Sequence, residues 1–259
     1  MSITSVAVED CEWNEELQNA HAIQQHLLAH HEGVIASADC SAVCRQANAV
    51  GGDFYDFLNL CDGRLGIAIG DVAGKGVGAA LLMANLQATL RAEARSAPSH
   101  LAAAVASVNR EFHKACFEEG YATLFYAVFD PPTRVLNYVN AGHNPPFVKR
   151  VGGSVEWLES GGAPVGMFRS WLYEEGSVVL NPGDVLVAYT DGIVEARDCF
   201  GEEWGSARLA AIVEDADDQT AAEISARIWS AVDGFVGSAG QADDMTSVVV
   251  RPRATFRTF

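Results

Sequence analysis

Aspartates recur in this chain at one kind of place, where an apolar run gives way to a turn. Gly51-Gly52-Asp53, Gly70-Asp71-Val72, Thr190-Asp191-Gly192 and Asp243-Asp244-Met245-Thr246 each set a carboxylate at such a point. Strand ends are rigid, so carboxylates placed there can converge with little loss of conformational entropy. Gly51, Gly52 and Gly192 would let backbone, water or ligand come close. Oxygen ligands drawn from four segments suit hard cations such as Mg²⁺ and Mn²⁺ better than a soft-metal His/Cys site would. A single aspartate of this kind is usually a turn residue serving its own local hydrogen bonds. Four in one chain, each after an apolar run, ask for a common purpose.

Other chemistries fit less well. Gly70-Asp71-Val72-Ala73-Gly74-Lys75-Gly76 invites a phosphate-loop reading, but three residues separate its first glycines and a glycine follows the lysine. A Walker A loop needs four, and then Ser or Thr. The dinucleotide GxGxxG pattern is absent as well. A glycine-rich entry into a long helix remains. Ala141-Gly142-His143-Asn144-Pro145-Pro146 reads as a turn between strands. His143 there could act as a general acid or touch phosphate, but such a histidine more often satisfies its own turn, so it stays outside the catalytic set. No GxSxG elbow, HExxH or phosphatase-type cysteine loop occurs. Hydrolysis would therefore need water activated by metal.

The elements that must carry these residues follow from periodicity. Apolar spacings of three and four between Glu9 and His31 predict an amphipathic helix, either packed on its own domain or serving to dimerise or couple to a sensor. Strands are expected at Phe54–Leu60 and Leu65–Ile69, joined by a turn at 61–64. Helices follow at Val77–Arg95 and, with Ser99 as N-cap, to about Phe117. Further strands are read at Tyr121–Phe129, Arg134–Asn140, Phe147–Arg150, Val155–Leu158, Leu172–Leu180, Val185–Tyr189 and Thr246–Val250, with a helix over Thr220–Val236. Strands cluster and helices come in pairs, which predicts an α+β fold with antiparallel sheets.

Composition narrows the partners. The chain has 259 residues, 49% of them hydrophobic, enough for one domain with a sizeable core. Its formal charge of −17 argues against nucleic acid, which requires clustered Lys and Arg. The six cysteines form no CxxC pair and read as reduced thiols. No segment reads as a signal peptide or membrane span, so a cytoplasmic protein is expected.

The segments Val50–Asp56, Gly70–Gly76, Ala141–Pro146, Tyr189–Ala196 and Asp243–Thr246, in that order, together resemble the PPM superfamily of metal-dependent serine/threonine phosphatases, in its bacterial stage II sporulation E/RsbU branch. The resemblance runs from about Ala38 to Arg251. It implies an α-β-β-α sandwich with two antiparallel sheets flanked by helix pairs. It implies a site for two divalent cations, Mn²⁺ or Mg²⁺, that activate water against a phosphoserine or phosphothreonine. Asp71 would bridge the cations and the Val72 carbonyl would ligate one. Asp191 and Asp243, or Asp244 in place of Asp243, would complete the other shell, and Asp53 would ligate directly or hold waters. Asp71, Asp53 and Asp191 form the expected catalytic set. The resemblance also implies a partner: a phosphorylated anti-sigma-factor antagonist of the STAS type, with an activating protein and a homodimer through the N-terminal helix as further expectations. The chain divides on this reading into a helical linker (1–37), the phosphatase domain (38–253) and a tail (254–259). Two features of wider relatives are missing: a histidine just after the bridging aspartate and an arginine before the first one, for which Arg45 has the wrong spacing. The rival readings are a non-catalytic binding module of the same fold and, less suited to the charge, a nuclease.

Overall fold

The computed structural model describes residues 3–28, 33–35, 38–60, 63–96, 100–116 and 120–253. In chain order the elements are α1 (Ile3–Leu28), β1 (Gly33–Ile35), β2 (Ala38–Arg45), β3 (Asp53–Asn59), β4 (Leu65–Val72), α2 (Gly76–Ser96), α3 (Leu101–Ala115), β5 (Ala122–Asp130) and β6 (Val135–Ala141). Then come β7 (Phe147–Lys149), β8 (Val155–Trp157), β9 (Gly161–Gly162), β10 (Gly176–Val179), β11 (Val185–Tyr189), α4 (Asp191–Val194), α5 (Ser206–Glu214), α6 (Ala221–Val236) and β12 (Met245–Pro252). They form two sheets, ordered β1-β2-β12-β11-β7-β8 and β10-β6-β5-β4-β3, with β9 beside β6. Every pairing is antiparallel except β6 with β9. Helices α2 and α3 pack on the second sheet, α5 and α6 on the first. The expected α+β sandwich of two antiparallel sheets between helix pairs is the observed fold.

Burial explains the layering. Strand β4 is LGIAIGDV, and its residues are buried on both faces up to Gly70, as a strand between a helix layer and a second sheet must be. One core fills the space between the sheets and under α2 and α3, with Phe54, Ile67, Met83, Phe125 and Val248 among its members. A second, around Tyr189, Leu209, Trp229 and Val249, seats α5 and α6 on the first sheet. Thr220 closes a capping box at the start of α6: its hydroxyl accepts from the Glu223 amide at 3.2 Å, and its own amide donates to the Glu223 carboxylate at 2.7 Å.

Several expectations need correcting. Of the predicted Leu172–Leu180 strand only Gly176–Val179 pairs, because Leu172 lies 89% exposed and Trp171 stacks on Phe168 in a loop. Helix α3 begins after His100, which makes no side-chain cap; Ser99, and Phe117 at the far end, lie outside the described residues, as do Cys61 and Asp62 of the predicted turn. Strand β2 and helix α5 were not expected at all. The cysteines Cys40, Cys44, Cys116 and Cys199 are free, and burial pushes the Cys40 thiol up to about 12. Among the described residues no helix is long and apolar enough to cross a membrane.

Candidate active site

Both sheets bring an acidic end to the same edge of the sandwich. In the second sheet, antiparallel register sets Asp53, the first residue of β3, directly opposite Asp71 near the end of β4. In the first sheet, β11 ends before Thr190 and Asp191, while β12 begins just after Asp243 and Asp244. Two threonines join the sheets: the Thr190 and Thr246 hydroxyls donate to the same oxygen of Asp53, Oδ2, at 2.8 and 2.7 Å. The Thr246 amide in turn donates to the Thr190 hydroxyl at 2.8 Å. A buried carboxylate is thereby held between sheets by donors that leave Oδ1 for another partner.

The electrostatics are those of carboxylates crowded together with too little positive charge. Burial, then the Asp71 charge, pushes the Asp53 carboxyl well above the usual range, while the two hydroxyls pull it back. Burial pushes Asp71 up to about 7, with Asp191, Asp243 and Asp244 adding to the rise and a hydrogen bond with Asp53 opposing it. Asp191 is raised too, first by burial and then by Asp243, against the pull of the Gly192 amide and Lys75. The Lys75 ammonium is the neighbouring cation: Nζ lies 2.9 Å from Asp243 Oδ2 and donates to the Ala242 carbonyl at 2.9 Å.

Asp243 and Asp244 have different tasks. Asp244 is buried, and its oxygens accept from the Ala47 amide at 2.8 Å and the Gly52 amide at 2.8 Å. It clasps the 47–52 loop onto the start of β12. A Cβ on Gly51 would fall 1.9 Å from Asp244 Oδ2, so the clasp needs glycine there. Asp243 keeps its carboxylate half exposed toward Lys75 and the open edge. Val72 is reached in the same way: its amide donates to the Gly52 carbonyl at 3.3 Å, and a Cβ on Gly52 would lie 2.6 Å from the Val72 oxygen.

These residues suit divalent cations by their chemistry. Asp53, Asp71, Asp191, Asp243 and the Val72 carbonyl are oxygen donors converging on one edge, and mutual repulsion between their charges is what a cation relieves. The ammonium already drawn onto Asp243 stands in for part of that charge. Among the described residues no three His, Cys, Asp or Glu side chains close around one point as a finished coordination shell would.

Three positions escaped the sequence. The threonines preceding Asp191 and following Met245 carry the inter-sheet bonds, and their placement beside strand-end aspartates was the available signal. Gln24 of α1 is buried and grips the backbone of Gly51 both ways, donating to its carbonyl at 2.7 Å and accepting its amide at 3.1 Å. Helix α1 thus packs on its own domain, directly behind the loop that Asp244 clasps. His143 was left out of the catalytic set, and it is buried, with burial lowering its pKa to about 4, so the ring is neutral. Its Nδ1 meets the Thr123 hydroxyl at 2.8 Å, and Thr123 is the register partner of Asp71. Nε2 of the ring is buried and makes no hydrogen bond among the described residues.

Against this geometry, the family model for stage II sporulation protein E (SpoIIE) matches residues 61–253. The chain belongs to the SpoIIE family. Protein IcfG of Synechocystis sp. is 31% identical over 91% of this chain and 41% of its own length. Phosphoserine phosphatase RsbU of Bacillus subtilis is 28% identical over 72% of this chain and 55% of its own. The chain spans about half the length of the curated relatives it matches. Among solved structures, the SiaA-PP2C domain of Pseudomonas aeruginosa superposes with a TM-score of 0.82 at 22% identity, covering 95% of this chain and all of that one. The RsbU and RsbW domains of Rv1364c from Mycobacterium tuberculosis give 0.69 at 30% identity over 85% of this SpoIIE-family chain and 62% of that one.

Proposed function

We propose that this SpoIIE-family domain is a metal-dependent phosphatase for phosphoserine or phosphothreonine on a partner protein. The observation that carries the reading is the convergence of Asp53, Asp71, Asp191 and Asp243 from two sheets onto one edge, with Asp71 pushed up to about 7 by burial and then by its acidic neighbours. Relatives named as phosphoserine phosphatases support it.

Asp71, Asp53, Asp191, Asp243 and the Val72 carbonyl would hold two cations, Mn²⁺ or Mg²⁺. Cations held there would supply activation of a water and neutralisation of phosphoryl charge. The protein's own part is to hold the donors still. Thr190 and Thr246 fix Asp53, the β3–β4 register fixes Asp71 against it, and Asp244 closes the loop that leads into β3. We place the protein in the cytoplasm, and we assign 38–253 to the catalytic domain and 1–37 to a helical linker whose α1 also serves a homodimer. The substrate in this reading is a STAS-type antagonist of an anti-sigma factor, met in a partner-switching pathway with an activating protein.

The test is hydrolysis of p-nitrophenyl phosphate and a phosphoserine peptide with Mn²⁺, with Mg²⁺ and with EDTA, comparing wild type with Asp71→Asn and Asp191→Asn. Metal-dependent turnover lost in both variants is the expected result. Folded wild type that binds either cation yet turns over neither substrate would favour a binding module, or an enzyme that turns over only with its activating partner.

A further inference from the structure

Lys75 stands at the acidic edge, with its ammonium on Asp243. It follows Asp71 by four residues and Val72 by three, and lies between Gly74, at φ 109°, and Gly76, at φ 73°, immediately before α2. A Cβ added at Gly74, Gly76 or Gly78 would meet nothing within 4 Å, so the space above this loop is open to a ligand. The ammonium is tethered to Asp243 and the Ala242 carbonyl, yet half of the side chain stays exposed. Beside it opens a cavity of about 220 Å³ lined by Lys75, Gly192, Glu195, Arg197 and Asp243. Arg197 also lines this cavity while pairing with Glu203 at 2.7 Å.

Two demands meet on one side chain. A phosphorylated substrate brings a dianion to an edge crowded with carboxylates, where a cationic side chain can receive its oxygens. A divalent cation brought to Asp243 would compete with the ammonium for that carboxylate. We propose that Lys75 is the phosphate-binding cation of this site, held on Asp243 until a metal ion takes that carboxylate and frees the ammonium to face the cavity, where phosphoryl oxygens bind beside Arg197. The inference rests on the phosphatase reading and adds to it a substrate-contacting residue and a subsite.

The signature is a pair of opposite changes. In Lys75→Met, calorimetric titration with Mn²⁺ should show binding tightened several-fold, because a competitor for Asp243 is gone. Titration of inorganic phosphate into the Mg²⁺-saturated protein should show binding weakened about tenfold or more, the loss of one charged hydrogen-bonding partner. Lys75→Arg should keep most of the phosphate affinity. Lys75 is exposed, and unchanged thermal unfolding of the variants checks that they fold. Phosphate binding that is the same in wild type and Lys75→Met, or absent in wild type, would overturn the proposal. Weaker Mn²⁺ binding in Lys75→Met would overturn it too, by showing that the lysine shapes the ligand loop. Both titrations read binding without turnover, so a catalytically silent wild type would refute the phosphatase reading and leave this result standing separately.

Discussion

Replacing Asp71 by asparagine should stabilise the metal-free protein while removing its response to metal. In the folded chain the Asp71 carboxyl titrates at about 7 instead of 3.8, a rise of roughly three units. At about 1.4 kcal/mol per unit this is a ceiling of about 4 kcal/mol. Asp71 is only partly buried and shares a hydrogen bond with Asp53, and halving for solvent and sharing leaves about 2 kcal/mol. A carboxyl whose folded pKa is raised favours the native state below its unfolded pKa and loses that advantage as pH rises to the folded value. Metal-free wild type should therefore lose stability between pH 4 and 7 and stay lower above. At pH 8 in EDTA, Asp71→Asn lacks the repelled charge and should melt about 4–8 °C higher, taking about 2–4 °C per kcal/mol for a domain of this size. At pH 5 the gain should shrink to less than half. Adding Mn²⁺ should raise the wild-type midpoint by mass action and leave the variant where it was. Scanning calorimetry at the two pH values, with EDTA and with Mn²⁺, measures all four quantities. A variant that melts lower than wild type in EDTA at pH 8 would refute the reasoning, since Asp71 would then be a compensated charge.

Three further outcomes follow from the contacts around the site. Thr190→Val with Thr246→Val takes both hydroxyl donors from Asp53 and should weaken Mn²⁺ binding tenfold or more by calorimetric titration; unchanged affinity would show that Asp53 needs no such support. Gly51→Ala puts a methyl 1.9 Å from Asp244 Oδ2 and should lower stability by about 1–3 kcal/mol in a urea titration, whereas an unshifted midpoint would mean that the clasp yields freely. Gln24→Ala leaves both polar groups of the Gly51 backbone unmatched, so turnover at limiting Mg²⁺ should drop and recover at saturating Mg²⁺; equal loss at both concentrations would separate α1 from metal binding.

Much of this protein was legible one segment at a time. Val185–Tyr189 is a short, wholly apolar run with β-branched residues, as a buried strand should be, and it is β11 to the residue. Thr220 and Glu223 announce a helix start by themselves, because both halves of the capping box lie within one turn. The aspartates at strand ends, with their glycines, already spoke of hard cations. Reading failed where neighbours decide. Leu172–Leu180 has strand-forming residues, but only Gly176–Val179 found a partner in β6. Strand β2 alternates buried and half-buried residues along most of its length, yet its pairing with β12 joins segments about 200 residues apart.

The sequence by itself determined the donor chemistry, the order of the strand ends that carry it and the α+β class, since these depend on residue type and local period. Tertiary structure alone decided which carboxylate does what. Asp243 and Asp244 are neighbours of one type, and only the approach of the Ala47 and Gly52 amides commits the second and leaves the first to Lys75. Likewise Asp53, Thr190 and Thr246 are 137 and 193 positions apart, and Gln24 is 27 from Gly51. Hydrogen bonds over such separations exist only once two sheets and a helix have packed, because a bond is fixed by distance in space and local sequence carries no measure of it.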